Sequence, residues 1–246
     1  MKLLSITICT FSELLGVTLL CPITSAQDAR SKLKAPAISA MGSPTPSPSP
    51  GKTPSEAEQR LLDAQKVALQ TAANKLCEQI QVEENDVYHR ISFFEKPVRL
   101  DPNSYASPDE IDHWQSLLKE LKERGDHVAE LYRDLGKNLD LELKNSKVPV
   151  NPMIASRFKT ILLGAFPWDT INKKTSLFDE YMEAHRKLLD FYQQNWGTWQ
   201  TADKEGKQEG KPVFKTAALT TTYNRLYAKI TSTGRELEEQ YIAMTK

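Results

Sequence analysis

Two stretches of the sequence carry histidine and carboxylate residues at a spacing used by metal sites in helical bundles. Glu110-Ile111-Asp112-His113 is a Glu-x-x-His motif, and Asp86-Val87-Tyr88-His89 is a related arrangement. A di-iron centre needs two Glu-x-x-His motifs and two further glutamates, all projecting inward. On the helices that the apolar spacing predicts, Glu110 flanks the apolar stripe, and both histidines point away from it. We therefore expect no metal site at these positions.

No other motif of the sequence indicates a cofactor or a catalytic centre. His185 is the only histidine on a predicted apolar stripe, and one imidazole does not make a metal site. Haem attachment, phosphate-loop, nucleophile-elbow and zinc-protease motifs do not occur. Acidic residues such as Glu236, Glu238 and Glu239 fall on predicted helix exteriors, where they are solvated and do not form a general acid/base couple. The sequence predicts neither enzymatic activity nor a bound cofactor.

Long helices are the elements that must position the remaining candidate residues. From Ser107 to Leu143, apolar residues recur at alternating steps of three and four, the a/d heptad pattern of a helix packed against others. Three more stretches share this pattern: Ser55 to about Glu95, Met153 to about Gln200, and Pro212 to about Met244. Because the connections are short, we expect an all-α fold, an elongated antiparallel four-helix bundle.

The starts and ends of these helices carry their own signals. Ser55, followed by Glu56 and Glu58, favours a helix start, and Pro97 favours the end of that helix. Ser107-Pro108-Asp109-Glu110 is a capping box, and Asn151-Pro152 repeats the cap-plus-proline pattern. The third rod is expected to be kinked near Gly164-Pro167, with one helix to about Leu163 and another from Asp169.

Aromatic residues from all four predicted helices are expected to meet at one end of the bundle. This group comprises Phe93, Phe94, Tyr105, Trp114, Tyr192, Trp196, Trp199 and Phe214. One interpretation is a hydrophobic cap that closes the bundle. The other is a site for a partner or an apolar ligand, since exposed aromatic groups mark binding surfaces.

A second candidate region lies in the middle of the predicted bundle, where small residues face larger ones. It comprises Ala73, Cys77, Gly125, Tyr181, His185, Ile230, Thr233 and Gly234. Either the small residues make room for Tyr181 and His185, or the layer holds a small polar cavity. On the first interpretation Gly125→Leu destabilises the protein by overpacking, in the range of about 1–3 kcal/mol.

Composition excludes several classes of partner. Lys and Arg number 32 and Asp and Glu number 32, so the net charge is zero, whereas nucleic-acid and polybasic membrane binders need an excess of positive charge.

Residues 1–26 resemble a signal peptide: Lys2, an apolar run from Leu3 to Leu20, and small residues at Thr24-Ser25-Ala26. A cleaved signal would leave no integral membrane span. An uncleaved anchor and a lipoprotein acylated on Cys21 are the alternatives.

Residues 27–54 form a Pro/Ser-rich linker, because alternating prolines prevent both helix and sheet. It is expected to act as a tether, with a Pro-rich recognition ligand as the alternative. The helical domain would span 55–246. After signal cleavage Cys77 is the only cysteine, so no disulfide framework is expected, and we interpret Cys77 as a small buried hydrophobe.

These observations predict a periplasmic or secreted, non-catalytic bundle that binds a protein or acts as an envelope spacer or adaptor. Its partner would be an unknown protein or an envelope component. The alternative is a periplasmic sensory or small-ligand-binding bundle, which requires an internal cavity of roughly 300 Å³ or more.

Overall fold

The structure is a computed structural model of the 246-residue chain, and it describes residues 55–201 and 212–243. The predicted signal peptide (1–26), the linker (27–54), and residues 202–211 and 244–246 lie outside the described residues. The chain divides between Asp63 and Ala64 into two compact units. Of the unit before Ala64, residues 55–63 are described, and they open the first helix.

The described residues are mostly helical, which confirms the predicted all-α class. The helices are α1 (Glu56–Phe94), α2 (Pro108–Arg133), α3 (Leu135–Asn145), α4 (Pro152–Gly164), α5 (Trp168–Gln194) and α6 (Ala217–Ala243). Two short 3₁₀ turns, Pro97–Leu100 and Pro102–Ser104, lie between α1 and α2. Two short strands, β1 (Trp199–Thr201) and β2 (Pro212–Phe214), lie between α5 and α6.

Three predicted helix starts are confirmed by their capping hydrogen bonds. At α1, the Ser55 hydroxyl accepts from the Glu58 N–H (3.3 Å), and the Ser55 N–H donates to the Glu58 carboxylate (2.7 Å). At α2, the Ser107 hydroxyl accepts from the Glu110 N–H (3.3 Å). The Asn151 side chain at α4 accepts from the Met153 N–H (2.9 Å). Each contact satisfies a backbone donor that has no partner within its helix.

The predicted second rod is divided where the sequence pattern suggested continuity. Asp134, with φ −94° and ψ 11°, separates α2 from α3. Aspartate and glycine are weak helix formers, and Gly136 follows closely. A Cβ at Gly136 would lie 3.3 Å from the Lys159 side chain, so α4 approaches α3 closely at this point.

The predicted end of the third rod and start of the fourth are wrong by several residues. Helix α5 ends at Gln194 instead of about Gln200, and α6 begins at Ala217 instead of Pro212. Gly197 adopts φ +72°, a left-handed conformation that glycine tolerates best. The chain then pairs β1 with β2 in antiparallel register, Trp199 opposite Phe214 and Gln200 opposite Val213. Aromatic and β-branched residues suit such pairing better than they suit a helix.

Contacts between helices fix their relative directions within the unit that begins at Ala64. Asp86 and Phe94 of α1 meet Arg124 and Trp114 of α2, so these helices are antiparallel. Along α1 and α5, Glu84 contacts Lys174 and Phe94 contacts His185, so this pair is parallel.

Helix α5 is antiparallel to both of its other long neighbours. Gln115 and Lys122 of α2 meet Asp190 and Asp179 of α5, respectively. Tyr181 and Tyr192 of α5 meet Gly234 and Tyr223 of α6. The buried core receives side chains from all of the described helices and consists mainly of Leu, Ile and aromatic residues.

Candidate functional site

The structure brings together most of the predicted aromatic group where the strands β1 and β2 meet α5 and α6. We call this cluster the aromatic end; its members are Tyr105, Phe191, Tyr192, Trp196, Trp199, Phe214 and Tyr223. Tyr192 lies 5.9 Å from Trp199 between ring centroids, and Trp199 lies 5.2 Å from Trp196 and 6.1 Å from Phe214. Trp199 therefore contacts each of the other candidates, Tyr192, Trp196 and Phe214.

Hydrogen bonds from tyrosines anchor the aromatic end to the turn that follows α1. The Leu100 carbonyl accepts from the Tyr192 hydroxyl at 2.6 Å and from the Tyr223 hydroxyl at 3.0 Å. The Tyr105 hydroxyl donates to the Arg99 carbonyl at 2.9 Å. Burial raises the pKa of all three phenols, so they remain protonated donors. The inner part of the cluster is thus a packed, hydrogen-bonded cap.

The outer part of the aromatic end remains at the surface. Trp196 is 36 % exposed, and Val213 and Tyr227 are also exposed. Val213 is the outward-facing residue of β2, because its neighbours on the strand are buried. Tyr227 rests on Tyr223 at 5.9 Å. Large apolar side chains therefore rim a rigid, buried base.

Trp114 lies apart from the aromatic end, together with Phe93 and Phe94 of the predicted group. Its ring makes an edge contact with Phe94 at 5.2 Å, and the Arg99 guanidinium stacks on it at 3.9 Å. Phe94 in turn contacts His185 at 5.7 Å. Trp114 and Phe93 line a groove between α1 and α2, which we call the α1/α2 groove. The predicted aromatic group therefore contains two separate clusters.

The predicted middle layer is only partly correct. Gly125 does not face Tyr181 and His185: a Cβ at this position would lie 2.1 Å from Cε1 of Phe178. The glycine that faces Tyr181 is Gly234, whose Cβ would lie 3.1 Å from the Tyr181 ring. Gly125 therefore makes room for a ring almost one turn before Tyr181 on α5.

Ala73 and Cys77 also lie away from His185. The α1 residue that contacts His185 is Phe94, 17 positions after Cys77, which corresponds to about 25 Å along a helix. Cys77 is half-buried and not fully buried as predicted, and burial raises the pKa of its thiol, so the thiol is protonated at neutral pH.

Tyr181 and His185 form the one polar-tipped pair of the predicted layer that the structure places together. Their ring centroids are 4.5 Å apart, and His185 is only 2 % exposed. Neither the Tyr181 hydroxyl nor His185 Nε2 has a hydrogen-bond partner. Burial lowers the pKa of His185 to about 3, so the imidazole is neutral at neutral pH. Such a group cannot act there as a general acid.

A buried ion pair is the feature that the sequence did not reveal. Lys174 of α5 contacts Glu84 of α1, and both side chains are almost completely buried. The Lys174 ammonium also lies 5.2 Å from the ring centroids of Tyr132 and Tyr241. Burial lowers the pKa of Lys174 to about 7. In the sequence, the only indication of this ion pair is a lysine on the apolar stripe predicted for α5.

Within the described residues, no three His, Cys, Asp or Glu side chains converge as metal ligands would. Among the described helices, none combines the length and hydropathy that a membrane crossing requires. No protein-family model, curated protein or solved structure matches the chain.

Proposed function

We propose that this protein is exported and acts without catalysis, binding another protein through the rim of the aromatic end. The observation that carries this proposal is the exposure of Trp196, Val213 and Tyr227 above a buried aromatic base. Rigid aromatic anchors contribute much to protein–protein affinity, because little conformational freedom is lost when they are covered. A spacer or adaptor role in the cell envelope is compatible with the same surface.

The proposal includes an antiparallel four-helix bundle formed by α1, α2, α5 and α6. The alternating directions of these helices support it, and α3 and α4 together form an insertion between α2 and α5. The pair Lys75–Glu142 (2.7 Å) ties the insertion to α1, and Lys159–Asp140 (2.6 Å) joins the two helices of the insertion. Such a scaffold needs no metal or cofactor for its stability, since apolar burial supplies the driving force.

The test for partner binding is photo-crosslinking in intact cells with p-benzoylphenylalanine at Tyr227. The matched control places the same residue at Lys119, an exposed position on α2. We expect one discrete adduct from Tyr227 and none from Lys119, and the adduct should disappear in the Trp196→Glu variant. The same adduct from both positions, or no adduct from either, contradicts binding at this rim.

Export is tested separately by cell fractionation and N-terminal sequencing of the mature chain. We expect the mature protein outside the cytoplasm, starting near Gln27, because Thr24-Ser25-Ala26 supplies small residues for cleavage. A chain that retains its N-terminus within the cytoplasm contradicts this part of the proposal.

The alternative function is the binding of a small ligand next to Tyr181 and His185, whose polar atoms lack partners. Buried polar groups without partners need an explanation, and a bound molecule is one. The Tyr181 and His185 ring centroids are 4.5 Å apart, and a Cβ at Gly234 would lie 3.1 Å from the Tyr181 ring, so little space remains and close packing is favoured over a cavity. A saturable change in the ¹H,¹⁵N spectrum of ring-labelled His185 with a metabolite mixture would support a ligand there.

A further inference from the structure

The α1/α2 groove has an apolar lining and is separate from the rim of the aromatic end. Its volume is about 340 Å³. Phe94 forms a buried part of its lining, Trp114 and Leu117 are half-buried, and Phe93 is 42 % exposed. The Phe93 ring is held in place by an edge contact with the His89 ring at 5.3 Å. An ordered aromatic side chain at the mouth of an apolar groove is a feature of binding surfaces.

One end of the groove carries more positive than negative charge. The Asp86 carboxylate accepts from Arg90 Nε at 2.9 Å and from Arg124 Nη1 at 2.9 Å. A single carboxylate therefore balances two guanidinium groups, each of which is partly exposed. Guanidinium groups in this setting retain N–H donors for a second carboxylate.

Cations also flank the other end, beside Trp114. The Arg99 guanidinium stacks on the Trp114 ring at 3.9 Å, and its buried Nε has no hydrogen-bond partner. The nearest carboxylate, that of Glu110, lies 3.9 Å from Arg99 Nη1, beyond hydrogen-bond distance. Lys96 lies over the Phe93 ring at 5.0 Å. Both ends of the apolar groove thus present positive charge.

We propose that the α1/α2 groove binds a short acidic segment of a partner protein, in which an aromatic or aliphatic side chain is flanked by carboxylates. The apolar side chain packs between Phe93 and Trp114, and one carboxylate binds Arg90 and Arg124. Asp86 and Phe94 are eight positions apart, which is about 12 Å along the helix. An extended segment of about four residues covers this distance. A cationic segment would be repelled at both ends.

The test uses ¹⁹F NMR of the full chain labelled with 5-fluorotryptophan. The sequence has four tryptophans, and single Trp→Phe variants assign their signals. The probes are the peptides acetyl-Glu-Phe-Leu-Glu-amide, acetyl-Lys-Phe-Leu-Lys-amide and acetyl-Glu-Ala-Ala-Glu-amide. We expect the first peptide to shift the Trp114 signal saturably, with an affinity about tenfold above those of the other two. Raising the salt concentration should weaken this binding.

Two variants and a control locate the binding. Phe93→Ala and Arg124→Gln should each lower the affinity for the acidic peptide by about fivefold. Val82→Ala removes another exposed apolar side chain of α1 outside the groove and should leave the affinity unchanged. Thermal melts establish that each variant is folded.

Three results would overturn the proposal. The first is no shift of the Trp114 signal at millimolar acidic peptide, and the second is an equal response to the lysine peptide. The third is a shift of the Trp114 signal that depends on protein concentration without peptide, which assigns the groove to a second copy of the chain. Because the rim of the aromatic end is tested by crosslinking at Tyr227, failure of either proposal leaves the other intact.

Discussion

Substitution of Gly125 is the sharpest test of the packing between α2 and α5. An ideal Cβ at this position would lie 2.1 Å from Cε1 and 2.4 Å from Cζ of Phe178, far inside van der Waals contact. Phe178 is 5 % exposed, so its ring cannot move into solvent without opening the core. The clash must be relieved by shifting α2 or by forcing Phe178 off its rotamer.

The magnitude follows from two opposing effects. Overpacking a core costs about 1–3 kcal/mol. Replacing glycine by alanine inside a helix contributes about 0.5–1 kcal/mol of stability. We therefore expect Gly125→Ala to lower the free energy of unfolding by about 1 kcal/mol, and Gly125→Leu to lower it further. For a domain of this size, each kcal/mol lowers Tm by about 2–4 °C.

Urea unfolding followed by circular dichroism measures these changes, and Gly164→Ala is the matched control. Nothing lies within 4 Å of a Cβ at Gly164, so this substitution should leave stability unchanged or raise it. Combining Gly125→Ala with Phe178→Leu should recover part of the loss, and a double-mutant cycle isolates the coupling. Equal stability of the two alanine variants, or a coupling near zero, would refute the proposed contact between Gly125 and Phe178.

Three further predictions concern polar groups in the core. The pKa of His185 is about 3 in the folded protein and about 6.5 in the unfolded chain, which therefore binds a proton that the folded protein does not. The free energy of unfolding should fall as the pH is lowered from about 6.5 to about 3, by at most about 1.4 kcal/mol per pH unit, and His185→Phe should remove this slope in acid titrations. Lys174→Met leaves the Glu84 carboxylate buried without its partner and should cost about 3–5 kcal/mol in urea unfolding, whereas adding Glu84→Met should restore most of the loss; additive effects would contradict the pairing. Tyr192→Phe removes a donor to the Leu100 carbonyl and should cost about 1 kcal/mol, with faster amide hydrogen exchange in residues 97–105 as the specific readout.

Features that depend on a few neighbouring residues could be predicted from the sequence. The starts of α1, α2 and α4 were predicted because Ser55, Ser107 and Asn151 cap backbone donors only two or three residues away. The all-α class was predicted because the apolar stripes repeat over many turns. Both signals are local or periodic, so they can be read from the sequence without knowledge of the tertiary structure.

Register between helices could not be predicted with the same accuracy. Gly125 was predicted to face Tyr181 and His185, but in the structure it faces Phe178. A displacement of three residues, from Tyr181 to Phe178, is less than one helical turn. One of the two interpretations, that Gly125 makes room for a ring, agrees with the structure, but the ring is that of Phe178.

The strands β1 and β2 show a second reason why part of the fold could not be predicted from the sequence. Trp199 fits the apolar stripe of α5 when that stripe is extended, so the sequence pattern alone continues the helix through Gly197. The pairing of Trp199 with Phe214 depends on a residue fifteen positions away along the chain. Long-range pairing of this kind leaves only a weak local signal, and three-residue strands are too short to show alternation.

The buried layer around Lys174 explains how this chain can select one register among several similar ones. Each of the four long helices contributes one residue to it: Glu84 from α1, Tyr132 from α2, Lys174 from α5 and Tyr241 from α6. Apolar heptad stripes tolerate a slip of one heptad, since leucine replaces leucine. The same slip would leave a buried charge unpaired, at a cost of several kcal/mol. A polar layer that adds little net stability can thus discriminate strongly between registers, and register decides whether Phe94 meets Trp114 in the α1/α2 groove.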